Sequence, residues 1–363
     1  MASSIPESWT AATVPTPKAA CTLTRASLSP PLGDAEVLIK ITATAINPVD
    51  WKMRDRAMFL PSYPAILGSD AAGTVAAAGS AVTHLHPGDR VFFQGIIGQY
   101  ASCTFQQYCR MPATLVARTP PNVSDDAAAG LSLATVCAAT ALYSPAGLGL
   151  PPPWAPGGAH AGRGRAVVVL GGASSVGQYA VQLARLSGFG RIVTSASPHH
   201  AELLRALGAH VVLDRRAHGG AEDFAKALEG APLALVLDAV SLGTTQRLGV
   251  EIVRAAAREL GAPVVVVQAP DEGATRLGEE AEPKVQVKMV MGMGSHADLR
   301  PLAEGLFGFL GGEAGVLAKG ELVSNRPEVV PGGLGAVEAA MAKNRDGVSG
   351  VKVVIRPHET TSS

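Results

Sequence analysis

The segment 166–177, AVVVLGGASSVG, limits what this chain can fold into more than any other. Ala166, Val167, Val168, Val169 and Leu170 form an unbroken apolar run, as expected of a strand covered on both faces. Apolar residues then recur at Val176, Ala180, Val181 and Ala184, a spacing that predicts a helix over 176–187. The turn between them holds Gly171, Gly172, Ala173, Ser174, Ser175, Val176 and Gly177. A strand that turns sharply into a helix presents bare backbone N–H groups and a helix N-terminus, which together suit a pyrophosphate. The pattern reads G-x-S-x-x-G, with Ser174 where the common motif has its middle glycine, and a hydroxyl there can donate to phosphate. The spacing after Ser174 is one residue too long for the hydrolase elbow G-x-S-x-G. An ordinary strand–helix turn without ligand remains the alternative at this point.

The pattern then repeats. Strands are expected over 191–195, 210–213, 233–238 and 263–268, with helices over 200–207, 221–228 and 245–260. Alternation of this kind makes βαβ units and a parallel sheet, so the fold class is α/β. The part before it reads differently. Residues 1–30 show no strong period. Residues 36–45 (EVLIKITATA) alternate apolar and polar, and 73–78 and 90–93 read as further short strands between Gly68, Gly79, Gly88 and Gly95. Short strands with regular turn signals suggest a small β-barrel-like domain. Ser124 followed by Asp125 and Asp126 marks a helix start, with helical character through 141. Residues 151–165 are too rich in Pro and Gly for regular structure. After 295, helices are expected over 299–310 and 334–343 and a last strand over 350–356; that strand has no βαβ partner and is expected to return to the first domain. Two domains also suit 363 residues.

Composition narrows the function classes. Apolar residues at 47% against 17% charged fit a globular core. Lys+Arg and Asp+Glu are both 30 and no basic stripe is evident, so no nucleic-acid partner is expected. No apolar run reaches the ~18 residues of a membrane span, and no membrane association is expected. The first 17 residues lack the apolar stretch of a secretory leader. Cys21, Cys103, Cys109 and Cys137 are scattered without a CxxC pair, which suggests reduced thiols and a cytoplasmic location.

Cofactor choice is read from the end of the strand after the glycine turn. An acid there, ~20 residues on, would bind the ribose 2′-OH of NAD. Residues 195–200 (SASPHH) hold no acid, while Arg205, Arg215 and Arg216 lie near in sequence. NADPH is the cofactor expected.

These residues carry a resemblance. Asn47, Pro48, Val49, Asp50, Trp51 and Lys52, then 64–73 (PAILGSDAAG), then Gly88, Asp89, Arg90 and Val91, then the 171–177 turn, are similar to the medium-chain dehydrogenase/reductase superfamily. Ser197, Pro198 and His199, with Pro331, Gly332, Gly333 and Leu334 and with 348–352 (VSGVK), resemble fungal trans-acting enoyl reductases, which act beside polyketide synthases. The resemblance runs over roughly 30–356. It implies a GroES-like β-barrel catalytic domain from 1–140 and 301–363, and a Rossmann domain with a doubly wound parallel sheet over 141–300.

It also implies site residues. Asn47, Pro48, Val49 and Asp50 would lie near the nicotinamide, and Val348 and Ser349 would close over it. Ser174, Ser175, Val176 and Gly177 would hold the pyrophosphate. Ser197, His200 and Arg215 would surround the 2′-phosphate, in a subgroup that often carries Asn and Tyr at the latter two places. Leu133, Ala134, Thr135, Val136, Cys137 and Thr140 would line an acyl pocket. Zinc-dependent relatives carry Gly-His-Glu where this chain has Gly68, Ser69 and Asp70, and a cysteine near Asn47 is missing as well. Too few N and S ligands remain, and no metal is expected.

Without a Lewis acid, reduction of an activated C=C bond is favoured over alcohol oxidation. The activity expected is enoyl reduction with NADPH, on a small molecule or an acyl thioester. A quinone or other alkene/carbonyl reductase is the alternative within this class, and a non-catalytic NADPH-binding protein the alternative outside it. No catalytic residue is assigned: Tyr63 and Lys52 are candidate proton donors, each better explained by a structural or solvent-facing role, and bulk water is the other proton source. A polyketide synthase partner, and the choice between monomer and homodimer, stay open.

Overall fold

A computed structural model describes residues 5–28, 30–256 and 261–361. The chain divides into two units. One takes the residues up to Leu133, Met293–His296 and those from Phe307 on; the other takes Ala134–Gly292 and Ala297–Leu306.

The second unit is built on six parallel strands. Their spatial order is Val211–Asp214, Arg191–Ala196, Ala166–Leu170, Leu233–Asp238, Val264–Val266 and Val287–Met289. In chain order this is 3-2-1-4-5-6, the doubly wound Rossmann arrangement, with the direction of winding reversing beside Ala166–Leu170. Ala166–Leu170 and Leu233–Asp238 are buried along their whole length, as their unbroken apolar runs require. Val168, Val193, Val236, Val264 and Phe224 lie in one core with Val250 and Val253 of the Gly243–Ala256 helix. The strand ends over 166–170, 191–196 and 233–238 agree with expectation to within a residue. The sixth strand and the Glu272–Glu279 helix before it were not expected: VKM is too short to show a period. The last four residues expected in the 245–260 helix lie outside the described residues.

The first unit holds a seven-stranded sheet and a three-stranded one. The Glu36–Ala45 strand is the hub of the larger sheet, pairing antiparallel with Asp70–Ala78, Tyr108–Pro112 and Val351–Ile355. Val351–Ile355 also pairs in parallel with Arg326–Val329, a strand not foreseen because Pro327 lies inside it. Residues 1–30 are corrected by the structure. Ser8–Val14 and Thr22–Ser27 form an antiparallel pair, and Ser8–Val14 also pairs with Ala65–Ile66. Small Ala and Thr residues on the buried strand blur the apolar contrast that a period needs.

The helix expected from 125 through 141 is two helices, Asp125–Ala128 and Ser132–Tyr143. Taken as one stretch, Asp125–Tyr143 is long and apolar enough to cross a membrane, contrary to the expectation of no such run, but 83% of its apolar window is buried inside the protein. The break contains Gly130, where a Cβ would lie 2.7 Å from Lys352 Cγ.

Candidate functional site

In the first unit, Asn47 is the N-cap of the Pro48–Arg56 helix, with Pro48 as its first residue. Proline lacks the N–H that a first helical residue would leave unsatisfied, which is why it is tolerated there. Three residues past the cap, Asp50 Oδ2 accepts the Asn47 backbone N–H at 2.7 Å. The Asn47 side chain turns inward. Its Nδ2 donates to Asp70 Oδ2 at 2.9 Å, and its Oδ1 accepts from Lys352 Nζ at 2.6 Å. Lys352 Nζ also donates to Asp70 Oδ2 at 3.3 Å, and Ser69 Oγ donates to Asp50 Oδ1 at 3.2 Å. Asp70 Oδ1 accepts the backbone N–H of Leu133 at 2.6 Å, at the start of the Ser132–Tyr143 helix. Asn47, Asp50, Ser69, Asp70 and Lys352 are all buried.

One ammonium, paired with Asp70, thus lies near two buried carboxyls. Burial pushes the Asp50 carboxyl up to about 7; the Asn47 N–H opposes the rise and the Asp70 charge adds to it. Burial raises Asp70 too, while Lys352 pulls it down. A proton on Asp50 brings the cluster to neutrality. In the sequence Lys352 stands out only as part of the 348–352 motif, and nothing there marks its central place. The signal available was a lysine alone in an apolar strand, VKVVI.

Of the other residues expected near a nicotinamide, Val49 is half-buried, Pro48 and Ser349 are exposed, and Val348 packs against the core of this unit. Lys52 lies 5.4 Å from the Trp51 ring, and burial, then Arg56, lowers its pKa. The Tyr63 hydroxyl is buried with no hydrogen-bond partner among the described residues.

In the second unit, the 171–177 turn leaves the carboxyl end of the Ala166–Leu170 strand at the reversal point. Each glycine has its reason. Gly171 has φ +77°, open to glycine at little cost. A Cβ on Gly172 would stand 2.1 Å from Thr194 Oγ1, and one on Gly177 would stand 2.3 Å from the Gly171 carbonyl oxygen. Ser174 caps the Ser175–Leu186 helix, its Oγ accepting the Gly177 N–H at 3.0 Å. Its own hydroxyl hydrogen is left to donate. Ser174, Ser175 and Val176 are half-buried. A backbone cradle kept clear of side chains at the N-terminus of a 12-residue helix fits a dinucleotide's pyrophosphate.

Ser197 and Arg215 lie near one another, linked through Ala196. Ser197 precedes the Pro198–His200 turn, and the exposed Arg215 donates its backbone N–H to Ala196 O at 3.1 Å. His200 is buried, its ring 4.0 Å from that of His199. One acid escaped the sequence reading. Asp214 pairs with Ala196 across the two strands and accepts the Arg216 N–H at 3.0 Å. It lies 14 residues beyond the 195–200 segment, too far along the chain to be seen from it.

Of the residues expected to line an acyl pocket, Ala134, Thr135, Val136, Cys137 and Thr140 are buried and only Leu133 is partly exposed. Thr140 Oγ1 donates to Val136 O at 2.8 Å, and a Cβ on Gly292 would stand 2.9 Å from Cys137 Cβ.

Among the described residues no three His, Cys, Asp or Glu are grouped to hold a metal ion. At Asn47 and Ser69 the donors are an amide and a hydroxyl, with an ammonium among the carboxyls. That set does not fit zinc, which takes thiolate, imidazole and carboxylate ligands.

Residues 33–121 match the alcohol dehydrogenase GroES-like domain, and residues 175–274 match the zinc-binding dehydrogenase domain. The chain is 33% identical over 324 residues to trans-enoyl reductase himH of Aspergillus japonicus, covering 88% of this chain and 89% of that one. It is 32% identical over 340 residues to trans-enoyl reductase tndF of Aspergillus flavipes, covering 90% and 93%. The fold superposes on the crystal structure of CurK enoyl reductase with a TM-score of 0.72, at 20% identity over 97% and 99% of the two chains. The glycine turn on a doubly wound sheet, the GroES-like unit and these likenesses agree: the chain belongs to the medium-chain dehydrogenase/reductase superfamily, with enoyl-reductase-like relatives.

Proposed function

We propose that this oxidoreductase is an NADPH-dependent reductase of an activated C=C bond, such as that of a 2-enoyl thioester, working without zinc. The observation that carries the reading is the Lys352 ammonium among Asn47, Asp50 and Asp70, next to hydroxyl and amide groups rather than soft metal ligands. The ammonium, with a proton on Asp50, balances the acids there, and a divalent ion would add repulsion and find poor donors. The names of the fungal relatives support the enoyl substrate class.

When bound, a reduced nicotinamide supplies hydride to the β-carbon, and a proton taken up at the α-carbon completes the saturated product. The chain's own residues bind and orient. Ser174 and the N–H groups of the turn hold the pyrophosphate. Ser197, His200 and Arg215 select the 2′-phosphate, against the competing Asp214. Asp70 fixes the start of the Ser132–Tyr143 helix through Leu133, so the face expected to meet an acyl chain begins from a rigid point. The fungal trans-acting enoyl reductases that the sequence resembles act beside polyketide synthases, so polyketide-type acyl chains are the substrates to try first.

Stopped-flow mixing of the protein with NADPH and a 2-enoyl thioester, without oxygen, tests this. Loss of reduced-nicotinamide absorbance in proportion to saturated product is expected. Turnover of a quinone alone would move the protein to the other reductase reading. Tight NADPH binding without consumption on either substrate would remove the catalytic reading.

A further inference from the structure

The loop 239–242 follows the Leu233–Asp238 strand, at the same sheet edge as the glycine turn. Asp238 pairs with Leu170, the residue before Gly171, and is fully buried. Its Oδ1 accepts the N–H groups of Val240 and Ser241 at 2.9 and 2.8 Å, and its Oδ2 accepts the Thr245 hydroxyl at 2.6 Å. Ser241 Oγ donates to Asp238 O at 2.7 Å and accepts the Val267 N–H at 2.8 Å. Gln268 Nε2 donates to Val240 O at 3.0 Å. So many ties hold Ser241 at φ +56°, a conformation non-glycine residues avoid unless their surroundings impose it.

What this loop presents is Val240. A Cβ on Gly171 would stand 2.4 Å from Val240 Cγ2, so the valine lies directly on the first glycine of the turn. Gly171 in turn accepts the Ser174 N–H at 2.9 Å through its carbonyl. Glycine at φ +77° crosses readily to other conformations unless something bars the way. Val240 Cγ2 packs against the face of Gly171 on which a Cβ would stand, so it is the side chain placed to restrict that movement.

We propose that Asp238 and Val240 are positioning residues of the dinucleotide seat: Asp238 fixes the loop, and Val240 holds Gly171 in the conformation that aims the turn's N–H groups. This rests on the reading that the 171–177 turn binds a dinucleotide. Without Val240 the turn is competent for a smaller fraction of the time, and apparent affinity falls by that fraction.

The test uses the full chain with Val240→Ala, Asp238→Ala and Asp238→Asn. Nicotinamide fluorescence titration gives the NADPH dissociation constant, and melting without cofactor reports folding. Val240→Ala is expected to weaken binding about tenfold, as follows when the competent fraction falls to about a tenth, while its melting temperature stays within about 4 °C of the parent. Asp238→Ala weakens binding at least as much. Asp238→Asn restores most of it, since its amide oxygen still accepts from Val240 and Ser241. KM for NADPH rises, while kcat at saturating NADPH and KM for the alkene hold. Parental affinity in Val240→Ala overturns the proposal even if Asp238→Ala fails to fold. A parent protein that binds neither NADPH nor NADH overturns it together with the dinucleotide reading, a result distinct from the first.

Discussion

Lys352 Nζ lies 3.3 Å from Asp70 Oδ2, with the two side chains 5% and 0% exposed. An ion pair this deep is costly to desolvate, and its worth shows when one partner is removed. Lys352→Met leaves Asp70 and Asp50 without a counter-charge. A loss of about 3–5 kcal/mol is expected in urea unfolding at neutral pH. Part of it returns in mild acid, as the carboxyls take up protons. An unchanged urea midpoint would contradict the pairing.

Gly130 makes room for that lysine. Its built Cβ meets Lys352 Cγ at 2.7 Å and Cβ at 3.3 Å. Gly130→Ala should therefore cost about 1–3 kcal/mol by overpacking. In a Lys352→Ala background the Cγ is gone, and most of the added cost should vanish. Strict additivity in that double-mutant cycle would show that the contact does not matter.

Asp50 gives the fold a pH dependence of known sign. Its folded value of about 7 stands above the ordinary 3.8. The folded state binds this proton more tightly, so the contribution is complete below the unfolded value and is lost as pH rises through 7. Stability from this group falls between pH 3.8 and about 7 and changes little above that. Asp50→Asn should flatten that slope without abolishing it, because Asp70 is raised in the same direction. Melting temperatures across that range, parent against variant, decide the matter; parallel slopes would argue against it.

On the proposed reading, cofactor choice turns on Arg215 and Asp214, set beside Ala196 by a backbone bond and by strand pairing. Arg215→Ala should weaken NADPH binding by about 1.5–3 kcal/mol, roughly 10- to 150-fold, and leave NADH little changed. Asp214→Ala should move the ratio the other way. Equal losses for both cofactors in Arg215→Ala would mean that the arginine does not read the 2′-phosphate.

Legibility followed chemistry that is local in the chain. Ala166–Leu170, Leu233–Asp238 and the turn between strand and helix could be read because a buried strand and a glycine crowded by backbone leave their mark within a dozen residues. The Ser8–Val14 strand could not, since alanine and threonine give little apolar contrast. The Asn47–Asp70–Lys352 cluster was only half readable. Asn47 and Asp50 stand at capping spacing, but nothing near them in sequence announces a lysine 305 residues away. Asp214 was missed for the same reason: its neighbour Ala196 belongs to another strand, and pairing between strands is not written in spacing.

The distance along the chain between Asp70 and Lys352, 282 residues, has a consequence for synthesis. At about 5–20 residues per second, a ribosome needs roughly 15–60 s to travel it. Throughout that interval the two aspartates exist without the ammonium that neutralises them, and Glu36–Ala45 waits for the strand that will cover its edge. The Rossmann unit, nearly all of it made in between, can be finished first. The nascent chain therefore carries an open, acid-bearing sheet until Val351–Ile355 is made and pairs with it.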